Sequence, residues 1–268
     1  MRKIKSFFIL TMLLAAAGAQ LVAAETENVQ LIMQKSNDTM KIAGVESIST
    51  LIIKDASGNQ RVRKFSSSSK DYKDEGVKKS LMRFMEPADV KGTGFLTFEY
   101  QAAGKDNDMW IYMPALRKIR RVVSSEKAKS FMGSEFTNSD ITPPKLEEYT
   151  YKLLAAENLN DEECWKIESV PATAAVADQY GYSKKIGWVS KSNYVNLKTE
   201  FYNAEGKLAK RIVTNKIMML DKEKGLYQAS DVVMTNLLNG RMSQFVTEKC
   251  VLNPDIKDDI FTTDNLKK

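Results

Sequence analysis

Arg117, Lys118, Arg120 and Arg121 set four cations within five residues, directly after the apolar run Trp110-Ile111-Tyr112-Met113 and Pro114. Guanidinium and ammonium groups at that density suit phosphate or carboxylate, on a nucleic acid, in a catalytic anion clamp or at the head of an amphiphile. The nucleic-acid reading finds little support in the rest of the chain. Lys and Arg number 40 against 34 Asp and Glu, a formal +6 that falls to 37 − 34 = +3 once Arg2, Lys3 and Lys5 leave with an N-terminal leader. A mild, dispersed excess does not make the clustered basic footprint of a nucleic-acid binder.

Catalysis fares no better. The chain has no histidine, so the commonest general base and the middle member of a Ser/His/Asp triad are missing. Ser67-Ser-Ser-Lys70 and Ser124-Ser-Glu-Lys127 match Ser-x-x-Lys, yet neither is followed by the S-D-N and K-T-G elements that accompany that dyad. Gly133-Ser134 lacks a nucleophile-elbow frame, and no glycine-rich phosphate loop occurs. The sequence therefore reads as a non-enzyme with no cofactor, and two isolated cysteines supply no metal-binding spacing.

The first residues, MRKIKSFFILTMLLAAAGAQLVAAETEN, join a basic start to an apolar stretch and small residues at Val22 and Ala24, the pattern of a signal peptide cut after Ala24. No cysteine follows that cut, so the mature protein is expected to be exported, periplasmic and not lipidated. Cys164 and Cys250 then sit in a compartment that permits a disulfide, with pairing and two free thiols both left open. Residues 25–268 read as a single domain large enough to bury a core.

Positioning falls to elements whose periods can be read. Val29, Ile32, Met33 and Met40 suit one face of an N-terminal helix. Beyond Val45 the texture changes to short strands separated by Asp55–Gly58, Asn203–Gly206, Asp221–Gly225 and Asn239-Gly240, the last suiting a two-residue hairpin. These signals predict an antiparallel meander. Val195, Leu197, Thr199 and Phe201 alternate with Asn196, Lys198 and Glu200, one face buried and one wet. In the run at 110–113, Trp110 and Tyr112 point one way and Ile111 and Met113 the other, so this strand is either sandwiched or lines a cavity.

The motif W-I-Y-M-P-A-L-R-K-I-R-R from Trp110, S-F-M-G-S-E-F-T-N-S-D at Ser130 to Asp140, and D-D-I-F-T-T-D-N-L-K at Asp258 to Lys267 resemble the periplasmic outer-membrane lipoprotein-sorting family of the LolA/LolB-like superfamily. The resemblance runs from about Lys79 to the C-terminus. It implies an α+β, mainly β fold, an incomplete antiparallel β-barrel with helices covering an apolar cavity. It also implies a monomeric carrier of lipoprotein or lipid acyl chains that touches membranes transiently and works with an exporter of the resistance-nodulation-division class. A non-carrier accessory domain of such an exporter complex is the competing reading. Phe95, Phe98, Trp110, Tyr112, Phe131 and Met132 are then cavity candidates, although Phe131 to Ser134 also suit a purely structural turn. Arg117, Arg120 and Arg121 are candidates for a head group or a partner, or else they pair with Glu126, Glu135 or Asp140. A transmembrane barrel is disfavoured, since the chain ends in Asn265-Leu-Lys-Lys268 and its strands show no aromatic girdles.

Overall fold

The computed structural model describes residues 28–39, 41–143 and 145–268, so the leader and Met40 lie outside the described residues. Helix α1, Val29–Asp38, begins where the Asn28 side chain accepts the Leu31 N–H at 3.2 Å, satisfying one of the donors that every helix start leaves open. The helix buries Ile32 and rests Val29 and Met33 against Trp165, Ile167 and Val189. This is the face that the spacing predicts.

Six strands follow as a meander: β1 (Gly44–Lys54), β2 (Gln60–Tyr72), β3 (Val77–Glu86), β4 (Gly94–Tyr100), β5 (Asp108–Met113) and β6 (Lys118–Arg121). A second meander holds β7 (Tyr149–Leu159), β8 (Glu162–Pro171), β9 (Lys184–Ser190), β10 (Asn196–Tyr202), β11 (Leu208–Asp221), β12 (Leu226–Asn236) and β13 (Met242–Leu252), with helix α2 (Ala174–Tyr180) between β8 and β9. Antiparallel pairing of β1 with β13, from Val45↔Leu252 to Lys54↔Met242, fuses the two into one thirteen-stranded sheet. Strands β6 and β7 are left as its edges, and residues 122–148 cross from one to the other. The sheet stays open, an incomplete antiparallel barrel.

The turns follow their chemistry. Asp55 accepts the N–H groups of Ser57 and Asn59, and Gly58 takes φ 89°, a left-handed conformation that costs glycine little. The β12–β13 link departs from the expected two-residue hairpin. The side chains of Asn236 and Asn239 accept the N–H groups of Leu238 and Arg241, which stabilises a wider loop over residues 237–241.

Alternation gives the sheet an inner and an outer core. Leu51, Ile53, Phe65, Phe84, Phe95, Ile111, Phe201 and Met234 share the inner one. On the outer face of β3 to β6, Leu81 and Leu96 meet Ile256, Phe261 and Leu266 of the C-terminal segment. Gly94 leaves room there, because a Cβ on it would lie 2.7 Å from Leu266 Cδ1 and that side chain would have to shift. Arg83 ties the segment down by donating to the Asn265 carbonyl at 2.9 Å. Leu266 is fully buried, so Leu266→Ala should destabilise the fold by ~2–4 kcal/mol, read as a lower urea midpoint with an unchanged far-ultraviolet spectrum.

Candidate functional site

The residues singled out as one cavity lining divide between the two cores. Phe95 and Phe131 meet on the inner face with ring centroids 4.8 Å apart, and Phe84 lies 6.2 Å from Phe131. Met132 packs against the same cluster. Phe98, Trp110 and Tyr112 lie on the outer face beside the C-terminal segment, with Phe98 and Trp110 in edge contact at 5.1 Å. The register explains the division: Phe95↔Ile111 and Leu96↔Trp110 are successive pairs, and successive residues point to opposite faces. Strand β5 is thus sandwiched, each of its apolar faces having its own core.

The cations form the short edge strand β6 and the turn before it. Arg120 pairs with Glu126 at 2.6 Å and Arg121 with Asp108, while Arg117, at φ 50°, ends the turn that Pro114 begins and has no ion pair among the described residues. Arg120 and Arg121 remain about half exposed, at 45% and 59%, so their pairs contribute only ~0–1 kcal/mol each. Lys127 is paired with Asp106 and Lys70 with Asp258, so neither lysine is reserved as a base for its Ser-x-x-Lys serine. Cys164 and Cys250 are free thiols. They lie on β8 and β13, five strand spacings apart in the sheet; at ~4.8 Å per spacing that is far beyond the ~7 Å Cα limit of a disulfide.

What covers the inner face is chiefly the crossing segment. Phe131 and Phe136, both buried, insert into the core, and Phe131 N–H donates to the Phe136 carbonyl across a tight loop in which Met132 and Gly133 take positive φ. The space that the resemblance assigns to a cavity is filled here by these side chains. Polar groups fasten the loop. Arg63 donates to the Met132 carbonyl, and Arg241 to that of Gly133 at 3.0 Å. Glu135, 6% exposed, is ion-paired with Arg241 at 2.9 Å and accepts from Asn236 at 2.8 Å, while Lys210 donates to its backbone carbonyl at 2.6 Å.

Further along, Asp140 accepts the Thr137 N–H in a capping box, and the Tyr180 hydroxyl donates to Glu148. Beneath them the Lys185 ammonium sits 4.8 Å from the Tyr149 ring, 5.2 Å from Tyr180 and 5.6 Å from both Tyr182 and Phe201. Burial lowers its pKa, with Asp140 and Glu148 pulling the other way. Attraction to four ring faces compensates part of the lost hydration. None of Arg63, Glu135, Lys185, Lys210 or Arg241 was legible as a site residue, because partners such as Glu135 and Asn236 stand 101 positions apart.

Two clefts open at the ends of this arrangement. One, of about 330 Å³, is lined by Ile53, Asp55, Asn59, Arg61 and Arg241. The other, of about 350 Å³, lies between α1, the ends of β2 to β4 and the crossing segment near Pro143 to Glu147. Its floor carries Asp71, Lys78 and Glu99. Burial pushes the Glu99 carboxyl up, Lys78 opposes that, and Asp71 adds to it.

Solved structures share this architecture. The chain is 26% identical to a domain described as an outer membrane lipoprotein-sorting protein from Vibrio parahaemolyticus, with a TM-score of 0.80 over 89% of this chain and 98% of that one. It is also 26% identical to a DUF1329 family protein from Desulfovibrio piger, with a TM-score of 0.81 over 88% of this chain and 97% of the other. A LolA superfamily protein from Nitrosomonas europaea, 23% identical, shares the fold at a TM-score of 0.66 over 88% and 98% of the two chains. None of the curated proteins matches the sequence. The chain thus shares its fold with a domain described as lipoprotein-sorting. A family model described as "uncharacterized protein" matches residues 76–268, and the chain belongs to that family.

Two outcomes follow from the charged groups. Glu135→Ala would take the carboxylate from Arg241 and Asn236 while Lys210 keeps the backbone carbonyl, and should cost ~2–3 kcal/mol in urea unfolding, less than a fully buried pair because Arg241 is 38% exposed. A carboxyl raised by burial keeps its proton in the folded state after the unfolded chain has lost it, so stability falls as pH rises through that window. Glu99→Gln should therefore match the wild-type melting temperature near about pH 4 and exceed it increasingly toward neutral pH.

Proposed function

We propose that the protein is a periplasmic, monomeric carrier, not an enzyme, which shields the acyl chains of a lipoprotein or lipid during transfer toward the outer membrane. The observation that supports this most is the nature of the cover. Phe131 and Phe136 belong to a segment that lies outside the thirteen-stranded sheet and whose backbone is fastened at its tip by polar contacts. Releasing those contacts would free an apolar face built of Leu51, Phe65, Phe84, Phe95 and Ile111 without unpairing a strand of the sheet. Each methylene brought out of water is worth ~0.8 kcal/mol, so an acyl chain could replace the displaced aromatic contacts.

The description of the Vibrio parahaemolyticus domain as lipoprotein-sorting supports the cargo class, and the motif resemblance supports an exporter of the resistance-nodulation-division class as partner. The complete burial of Phe131 favours the second reading, an accessory domain that never opens. Native mass spectrometry with organic extraction of protein purified from the periplasm distinguishes them. The carrier should hold copurifying lipid or acylated peptide and take up a fluorescent fatty acyl probe, with faster uptake in Glu135→Ala; protein that is consistently empty and takes up no probe belongs to the accessory reading.

A further inference from the structure

We propose that the 350 Å³ cleft is a head-group site for an amphiphile carrying a primary ammonium next to a phosphate, with Glu99 receiving the ammonium and Lys78 the phosphate. The inference rests on the carrier reading and adds the class of cargo. Its basis is a gradient along the inner face of β2 to β4. Phe65 and Phe84 are paired at the apolar level. Two residues along each strand stand Ser67, Met82 and Phe95, then Ser69, Ser80 and Thr97, and last Asp71, Lys78 and Glu99. Same-face residues are spaced ~7 Å apart along a strand, so the wall passes from aromatic through hydroxyl to ionic over ~20 Å. A single-chain lipid has the same order of polarity.

The cleft sits at the ionic end, and its open valences are specific. Lys41 is paired with Asp38, Asp71 accepts from Gln101 at 3.3 Å, and Lys145 donates to the carbonyls of Ala102 and Lys105. Lys78 and Glu99 stand opposite each other in register, yet neither makes an ion pair or side-chain hydrogen bond among the described residues. Glu147 at the rim adds a second carboxylate. One cation beside two carboxylates, none of the three held by a side-chain hydrogen bond among the described residues, complements a zwitterion better than it complements a simple anion, and a partly desolvated carboxylate discriminates by hydrogen bonding as well as by charge.

Calorimetric titration of the mature protein with 1-lauroyl lysophospholipids bearing ethanolamine, choline or glycerol heads, alongside monolauroylglycerol and free phosphoethanolamine, tests this. The ethanolamine lipid should bind about tenfold tighter than the glycerol and choline lipids, since choline keeps the charge but has no N–H to donate. Glu99→Gln should erase that preference and leave monolauroylglycerol binding intact, and Lys78→Gln should weaken the phospholipids relative to monolauroylglycerol. Equal binding of all four lipids overturns the head-group assignment and leaves the carrier. Free phosphoethanolamine binding as tightly as its lauroyl form overturns the amphiphile, and absence of binding by every lipid overturns the carrier reading itself.

Discussion

The pairing of β1 with β13 is the contact on which the rest of the molecule depends. Ser49 and Thr247 face each other across it, 198 residues apart. Each meander alone has local hairpins to hold it, but only this seam turns two sheets into one and sets every inner row in line with the next. A slip of one residue would turn a strand's apolar set to the opposite face, so the seam's register is fixed by Leu51↔Phe245 and Ile53↔Ser243 facing the inner core. Closing a loop of that length is entropically slow but costs little more than closing one of half the length.

From the seam follows the problem of the two faces. A curved, open sheet with aromatic residues inside must be covered, and the described residues do this in different ways. Helix α1 shields the inner surface of β7 to β9, the crossing segment fills the middle, and the C-terminal segment seals the outside of β3 to β6. The middle cover differs from the others in how it is held. Its aromatic side chains are deeply buried, yet its backbone is fastened through side chains, by Arg63, Arg241 and the network around Glu135. Polar fastenings can exchange for water when they open, whereas strand pairing would have to be lost cooperatively. On the proposed carrier reading, this segment is the part of the inner core that would make way for cargo.

Much of the fold was legible in local pattern. The helix at Val29, the Asx turns at Asp55, Asn203 and Asp221 and the two-sided strand at Trp110 all depend on residues within a few positions of one another. The wider β12–β13 loop escaped notice because Asn236, at the strand end, joins Asn239 in shaping it. The site was less legible. Phe98, Trp110 and Tyr112 had the right character for a cavity wall but the wrong parity relative to Phe95, and parity across strands requires the register.

The sequence alone therefore determined the local chemistry: an amphipathic helix, half-apolar strands in a meander, no histidine-based catalysis and motifs that resemble those of a lipoprotein-sorting family. Only the tertiary structure decided that Cys164 and Cys250 stay apart, that the cations of β6 pair with Asp108 and Glu126, and that Glu135 clasps Arg241. It also placed Lys78 opposite Glu99 at the ionic end of a graded wall. The reason is range: periodicity reports which way neighbouring side chains point, whereas burial, ion pairing and the faces of a sheet depend on contacts between strands that the chain brings together from far apart.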